Sequence, residues 1–330
     1  MGADIGSLVS KREIQVEEAS GKVGMDAFNT LYSFLANIRQ RDGTPLKDSK
    51  GRVTSHLSGL LYRNANLFEA GIKPCYVFDG APPQLKSETV EKRQERREEA
   101  EEAYEEAKQE GDTEEMFRRA QQATSIREEE VETSIKLLDA LNIPWVEAPS
   151  EGEAQAAAMV VDGDLDYVGS QDYDAVLFGA PELVRNLAVR GKGDRDLTPE
   201  LVSLEDTLDS LGMTRSELIE VAILVGTDYN DGVHGVGPKT AVDLIRDEGM
   251  SINEALDEYD AEIDWKPIKD LYLDPEVERG YDLDLDWGAP DEEEVVDLLC
   301  GEHDFSEDRV RSAVGRISSA VEQSSLDRWT

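Results

Sequence analysis

Cysteine and histidine are almost missing from this chain, with two and three residues in 330. Cys75 and Cys300 lie far apart, and neither they nor His56, His234 and His303 fall at metal-ligand spacing. That excludes a disulfide framework and a structural zinc site, and it fits a reducing, cytoplasmic compartment. No apolar run approaches the length that crosses a bilayer, and Met1-Gly2-Ala3-Asp4 lacks the basic-then-apolar order of a secretory leader. Gly2 is placed for myristoylation, but Gly6 stands where that signal wants Ser or Thr. Membrane and secreted classes are set aside. Positive charge is also scarce: 34 Lys and Arg face 73 Asp and Glu, a formal net charge of -39. Such a deficit argues against a nucleic-acid partner, because nonspecific affinity for phosphates comes from Lys and Arg.

What is present is a core-forming chain. Hydrophobic residues make up 39%, and the length suits one large domain or two small ones. The acids might form a disordered tail or a solvated shell over an ordinary fold in a salty cytoplasm, and their distribution separates the two. Residues 251–330 carry 24 acids and 7 bases, while residues 1–250 carry 49 and 27. The excess is spread throughout, with hydrophobic periodicity intact between the charges, and Arg (21) outnumbers Lys (13). A halophilic surface is the better reading.

Apolar stretches at 22–25, 72–78, 143–146, 165–169 and 183–189 read as strands. Helical patterns at 27–39, 57–70, 86–141 and 153–162 alternate with them, which implies an α/β domain with a largely parallel sheet. Ser150-x-x-Glu153, Thr214-x-x-Glu217 and Ser251-x-x-Glu254 have capping-box form. There is no internal repeat. Residues 86–140 break the alternation: they are polar, rich in Arg and Glu, and divided by Gly111-Asp112. Pairs such as Glu88 and Lys92 suit a solvated helical pair, but Lys86, Lys92, Arg93, Arg96 and Arg97 cluster just after Asp79. Beyond residue 200 the pattern is helical.

Acidic residues gather where strands end. Asp26 follows Val23-Gly24-Met25, Asp79 follows Pro74 to Phe78, and Glu151 and Glu153 follow the stretch at 143–146. Asp172 and Asp174 come after Leu165 to Gly169, and Asp228 closes Ile223-Leu224-Val225-Gly226. Carboxyl ends of parallel strands face one crevice, so these side chains converge although distant in sequence. Carboxylates crowded in a dry crevice raise each other's pKa unless cations neutralise them. Oxygen donors without Cys or His suit Mg²⁺ or Mn²⁺. Two such ions ~4 Å apart serve in-line phosphodiester cleavage, one activating water and the other stabilising the leaving oxygen.

Val77-Phe78-Asp79-Gly80-Ala81-Pro82-Pro83-Gln84-Leu85-Lys86, Ala148-Pro149-Ser150-Glu151-Gly152-Glu153-Ala154 and Gln171-Asp172-Tyr173-Asp174 resemble the motifs of flap endonucleases. So does Gly226-Thr227-Asp228-Tyr229 followed by Gly235-Val236-Gly237-Pro238-Lys239, in the right order and at family-like spacing from Met1 to the last residues. These are the structure-specific 5′ nucleases of archaeal and eukaryotic replication and repair, in the XPG family. The resemblance implies a PIN-like α/β fold, a mostly parallel twisted sheet with helices on both faces. It implies one nuclease domain over 1–320, with a helical arch at about 86–140, a helix–two-turn–helix at about 215–250 and a clamp-binding tail at 321–330. Asp26, Asp79, Glu151, Glu153, Asp172, Asp174 and Asp228 match the family's two-Mg²⁺ site. Lys86 and Arg93 match its catalytic basic pair on the arch, with Arg96 and Arg97 beside them as DNA contacts. Tyr32 matches an aromatic that packs on the terminal base, and it also suits an amphipathic core position. Met1 is removed in the family, so Gly2 is expected at the mature N-terminus near the active site.

Gly235-Val236-Gly237-Pro238-Lys239 opens a helix, either as an ordinary C-cap followed by an N1 proline or as a turn whose backbone N–H groups hold phosphate without reading sequence. Its place just after Asp228 resembles the family's duplex-gripping element, and a Walker A loop is excluded by spacing. The resemblance places K⁺ in the 232–237 loop, although Gly232 stands where relatives carry a hydroxyl. Gln323, Leu326 and Trp329 resemble the sliding-clamp (PCNA) motif, with Thr330 replacing its second aromatic. The expected partners are branched DNA with a 5′ flap and the clamp; a monomer associated with the archaeal nucleoid is expected. Three other readings stay open: a sister 5′ nuclease with another junction preference, a non-catalytic clamp-bound acidic scaffold that mimics DNA, and a Mg²⁺ phosphatase. Cleavage of a 5′ flap, a nick and a bubble, and of small phosphate esters, separates them.

Overall fold

The computed structural model describes residues 3–40, 42–81, 83, 85, 124–187, 198–280 and 285–326, with side chains as far as Gln323. Seven strands form one sheet: β1 (Lys11–Glu13), β2 (Gly21–Asp26), β3 (Ile72–Phe78), β4 (Trp145–Glu147), β5 (Tyr167–Gly169), β6 (Glu182–Arg185) and β7 (Glu200–Ser203). Their spatial order is β1-β7-β6-β5-β2-β3-β4. β2 pairs in parallel with β5, Val23 lying opposite Tyr167 and Met25 opposite Gly169, and β5 pairs in parallel with β6. Helices supply the crossovers that parallel strands require. Ala27–Asn37 and Ser55–Glu69 separate β2 from β3, and Gly152–Asp162 separates β4 from β5. The mostly parallel α/β sheet is the one expected from sequence.

The antiparallel edge was not expected. β7 pairs with β6 and β1 with β7. β1 is Lys-Arg-Glu with every residue exposed, so no apolar alternation announces it. Charges on an edge strand also discourage pairing with another chain. The strand expected at 183–189 stops at Arg185.

Two of the three capping boxes form. Glu217 Oε2 accepts from the Thr214 backbone N–H at 2.7 Å while Thr214 Oγ1 caps Glu217 N–H, and Ser251 and Glu254 repeat the arrangement. The third, Ser150 with Glu153, does not form. The helix starts one residue late, at Gly152 with Glu151 as its N-cap, and the Glu153 carboxylate instead accepts a hydrogen bond from Ser170.

The chain divides into two compact units. Unit 1 comprises residues 1–26, 77–90 and 147–282; unit 2 comprises 27–76, 91–146 and 283–330. In unit 2, Leu57, Leu60, Leu61, Leu137, Leu138 and Ile317 are fully buried. A Cβ at Gly59 would lie 2.2 Å from Phe34 Cγ, so only glycine admits the aromatic ring between these two helices. The helix Glu307–Leu326 passes through position 320 without a break. The segment expected as an arch is described only from Thr124 onward, where Glu128–Ala140 is helical; Lys86, Arg93, Arg96 and Arg97 lie outside the described residues. Among the described residues no helix is long and apolar enough to cross a membrane.

Unit 2 also holds a buried acid. Asp48 accepts from the Arg52 backbone N–H (2.8 Å), from Arg52 Nε (2.7 Å) and from His303 Nδ1 (3.3 Å). Burial pushes its carboxyl up, but the Arg52 backbone N–H, the guanidinium and His303 outweigh that and bring it from 3.8 to about 2. A carboxyl depressed by folding stabilises the fold above its unfolded pKa, and the contribution is lost as pH falls through the folded value. Asp48→Asn is therefore expected to lower Tm at neutral pH and to flatten the fall of Tm between about pH 4 and pH 2. Acid titrations of Tm for both proteins check this, and parallel curves would contradict it.

Candidate active site

All seven sequence-predicted carboxylates belong to unit 1. Asp26 is the last residue of β2, Asp79 follows β3, and Glu151 and Glu153 sit at the start of Gly152–Asp162. Asp172 follows β5, Asp174 opens the short helix Asp174–Leu177, and Asp228 lies beyond the helix Arg215–Val225. Asp26, Glu151, Asp174 and Asp228 are buried, each at most 8% exposed. Buried carboxylates are rare without partners.

Hydrogen bonds and mutual fields locate them with respect to one another. Ser170 Oγ donates to Glu153 Oε1 at 2.6 Å and lies 3.4 Å from Asp26 Oδ2, so one hydroxyl links the ends of β2 and β5 to the helix after β4. Asp79 Oδ1 accepts the Gly152 N–H at 2.6 Å, which ties the end of β3 to the same helix N-terminus. Asp174 Oδ1 accepts the Ala3 N–H at 2.9 Å, bringing the N-terminal segment to the site. Burial pushes the Glu153 carboxyl well up, and the charges of Asp26, Asp174 and Asp172 add to it against the Ser170 bond. Burial likewise raises the Tyr229 phenol, helped by Glu151, Asp174, Asp228 and Glu153. Tyr272, fully buried with its ring 5.6 Å from that of Tyr229, rises through burial and then Asp174, Tyr229, Asp228 and Glu153. The described side chains thus form one electrostatic neighbourhood.

The donor set fits a hard divalent cation, since every candidate ligand is a carboxylate oxygen. Among the described residues, no group of three or more His, Cys, Asp or Glu is gathered to hold an ion. Mg²⁺ keeps several waters and is held by one or two carboxylates rather than a full protein cage.

Other predicted residues fall as follows. Tyr32 lies on Ala27–Asn37 and is 38% exposed, which removes the core reading and leaves its ring on the surface. Gly237 is the N-cap of Pro238–Val242, Gly235 has φ +84°, and Lys239 is exposed. That helix continues through Asp243–Asp247, the end expected from sequence. Gln323 is exposed near the end of Glu307–Leu326, while Gly2, Trp329 and the side chain of Leu326 lie outside the description. Sequence reasoning gave no role to Ser170, Tyr229 or Tyr272. Ser170 had a usable signal, since it immediately follows β5 and precedes Gln171-Asp172. Tyr272 had none, because only the fold brings its helix, Trp265–Leu273, beside the acids.

The profile of the XPG N-terminal domain matches residues 5–100 and that of the XPG I-region matches residues 142–228, and between them they take in all seven carboxylates. Flap endonuclease 1 of Methanosarcina acetivorans is 51% identical over 340 residues, covering the whole of both chains. That of Pyrococcus furiosus is 49% identical over 341 residues, covering all of this chain and 99% of the relative. Among solved structures, flap endonuclease-1 from Methanococcus jannaschii superposes with a TM-score of 0.78 at 38% identity, covering 98% of this chain and 100% of its own. The catalytic core of Rad2 in complex with DNA substrate has a TM-score of 0.72 at 22% identity, covering 96% and 100%, a likeness of fold alone. With half of its residues shared along its entire length, the chain belongs to the flap endonuclease 1 family of structure-specific nucleases.

Proposed function

We propose that this flap endonuclease removes displaced 5′ strands during DNA replication and repair, with an associated 5′-3′ exonuclease activity, using two Mg²⁺ ions held by Asp26, Asp79, Glu151, Glu153, Asp172, Asp174 and Asp228. Metal dependence is the norm in the family; the choice of Mg²⁺, with Mn²⁺ able to substitute, is our reading of the oxygen-only donor set. The observation that carries the proposal is the convergence within one unit of seven carboxylates, of which Asp26 at the end of β2, Glu151 and Asp174 at helix starts and Asp228 beyond a helix end are buried. When bound, such ions activate water and stabilise the leaving oxygen of an in-line displacement. The chain's own part is to bind and orient. Ser170 and the Gly152 N–H hold Glu153 and Asp79 in place, and Lys86 and Arg93 meet the charge that develops on the scissile phosphate.

The substrate is a bent junction of two duplexes. The displaced strand passes the arch at about 86–140, Tyr32 packs against the terminal base, and Gly235, Gly237 and Lys239 contact the duplex backbone. Gly232 adopts φ +74°, and a Cβ there would lie 2.2 Å from the Val225 carbonyl oxygen, so this chain's backbone at the turn leaves no room for the side chain that relatives carry. Any K⁺ in the 232–237 loop is therefore held by backbone carbonyls. Gln323, Leu326 and Trp329 engage the sliding clamp, and the protein acts as a monomeric single nuclease domain at the nucleoid of a halophilic archaeon. The spread of acids over both parts of the chain supports the halophilic reading.

The test is labelled 5′-flap, nicked and bubble DNA, with and without Mg²⁺, across molar KCl. Divalent-dependent cutting near the single-strand/duplex boundary, strongest on the flap and retained in high KCl, is expected. Cutting without added divalent cation, or a preference for the bubble, would overturn the reading.

A further inference from the structure

The turn that carries Asp172 and Asp174 is gripped from outside by residues that play no part in the mechanism above. Arg185, on β6, donates through Nε to the Gln171 carbonyl at 3.0 Å and through Nη1 to the Tyr173 hydroxyl. Its guanidinium also lies over the Tyr173 ring, 4.2 Å from the centroid. Glu200, on the neighbouring β7, accepts from the same Nη1 at 3.0 Å, and Lys11, on β1, reaches both Glu200 (3.7 Å) and the Tyr173 hydroxyl (3.4 Å). The Arg185 and Glu200 side chains are only 19% and 24% exposed, so the pair is better shielded from solvent than an open surface ion pair.

The N-terminal segment also meets the Tyr173 ring. A Cβ at Gly6 would stand 2.8 Å from Tyr173 Cε2, so the N-terminal segment packs directly against the ring. Three residues earlier, the Ala3 N–H bonds Asp174 itself. Tyr173, between the two aspartates in sequence, thus packs against both Arg185 and the N-terminal segment.

We propose that Arg185 is a positioning residue of the nuclease site: clamped by Glu200, it fixes the Gln171–Asp174 turn and so sets where Asp172 and Asp174 present their oxygens to a divalent cation. The inference rests on the assignment of those two aspartates to the metal site. It gives purpose to the antiparallel edge, since β6, β7 and β1 each contribute one charged side chain to the grip. Lysine is no substitute, because one ammonium lacks the planar fork that serves Gln171, Tyr173 and Glu200 together.

The sign of the effect separates positioning from field. Arg185 is a cation near a cation-binding site, so if it acted through charge alone, its removal would tighten divalent binding. Positioning predicts the reverse. Groups that orient metal ligands typically change metal affinity about 10–100-fold when removed.

The experiment is Mn²⁺ binding, read from the electron paramagnetic resonance of free Mn²⁺ without DNA, on wild type, Arg185→Ala, Arg185→Lys and Asp174→Ala. Tm and the kcat and KM for flap DNA are measured alongside. Arg185→Ala is expected to weaken Mn²⁺ binding by about tenfold, to lower kcat and to leave KM for DNA unchanged. Arg185→Lys is expected to recover Tm but not Mn²⁺ affinity, and it carries the test alone if the alanine variant does not fold. Unchanged or tighter Mn²⁺ binding in Arg185→Ala, or full recovery of affinity in Arg185→Lys, would overturn the proposal while Asp174→Ala still loses binding. If Asp174→Ala binds Mn²⁺ like wild type, the metal-site assignment falls and this inference falls with it.

Discussion

Asp174→Ala is expected to lower kcat by on the order of 10³ or more, comparable to or beyond removal of one preorganised transition-state contact, while junction binding without divalent cation stays near wild type. Asp174 is chosen because its charge reaches Glu153, Tyr229 and Tyr272 alike, which places it at the centre of the group. It is 5% exposed and accepts the Ala3 N–H. Alanine would therefore also leave that donor unsatisfied, at about 1–3 kcal/mol. Asp174→Asn separates the two effects, because its amide oxygen still accepts from Ala3 while the charge is gone. Both variants should lose turnover, and only the alanine variant should lose appreciable Tm. Single-turnover cleavage and electrophoretic mobility shifts on the same flap substrate provide the readout. Normal turnover in either variant would sink the site assignment.

Gly80→Ala should be nearly as damaging although it removes no functional group. A Cβ there would stand 2.0 Å from the Ala148 carbonyl oxygen and 2.9 Å from two Pro149 backbone atoms. These are backbone positions and cannot swing aside. The Gly80 N–H donates to Ser150 O at 2.7 Å and the Ala148 N–H to Phe78 O at 2.8 Å, so the ends of β3 and β4 are laced together at this point. A methyl group must pry them apart, and Asp79 and Glu151 sit on the separating segments. Displacement of a reacting group by about 1 Å costs roughly 10²-fold, and overpacking a close contact costs roughly 1–3 kcal/mol. Gly315→Ala is the control: it lies exposed within Glu307–Leu326 with nothing within 4 Å of an added Cβ. That change should stabilise the protein by up to ~1 kcal/mol. Wild-type kcat in a folded Gly80→Ala protein would show that the lacing does not position the carboxylates.

The central strands were legible because burial writes them in apolar residues: Val23 and Met25 in β2, Cys75 to Phe78 in β3 and Val168 in β5 are all buried. The carboxylates were legible only as a set: one acid past such a run can cap a helix or face solvent, but Asp79-Gly80-Ala81-Pro82-Pro83, Pro149-Ser150-Glu151-Gly152-Glu153-Ala154 and Gln171-Asp172-Tyr173-Asp174 together are hard to obtain by chance. β1 and β7 were not. Lys11-Arg12-Glu13 is a strand only because β7 offers it backbone partners, and nothing in three charged residues encodes that. Glu153 misled the local reading. Its spacing from Ser150 satisfies a capping rule, but the tertiary bond to Ser170 takes its carboxylate. Tyr272 and Arg185 were invisible for the same reason, because their neighbours are set by sheet order and helix packing rather than by distance along the chain. The motif Gln171-Asp172-Tyr173-Asp174 showed its two acids and hid the importance of the tyrosine between them.

The carboxylates come from both ends of a long stretch of chain, the first on β2 and the last beyond Arg215–Val225. Long-range pairing of this kind forms late and slowly in folding, and on the ribosome the N-terminal part emerges first. A nascent chain that has already made β2, β3 and their helices still lacks Asp174 and Asp228. No chain that ends before Asp228 carries the full set of acids. For an enzyme able to cut the genome, this long reach in sequence delays competence: the set of acids is complete only once synthesis has passed Asp228, about two-thirds of the way along the chain.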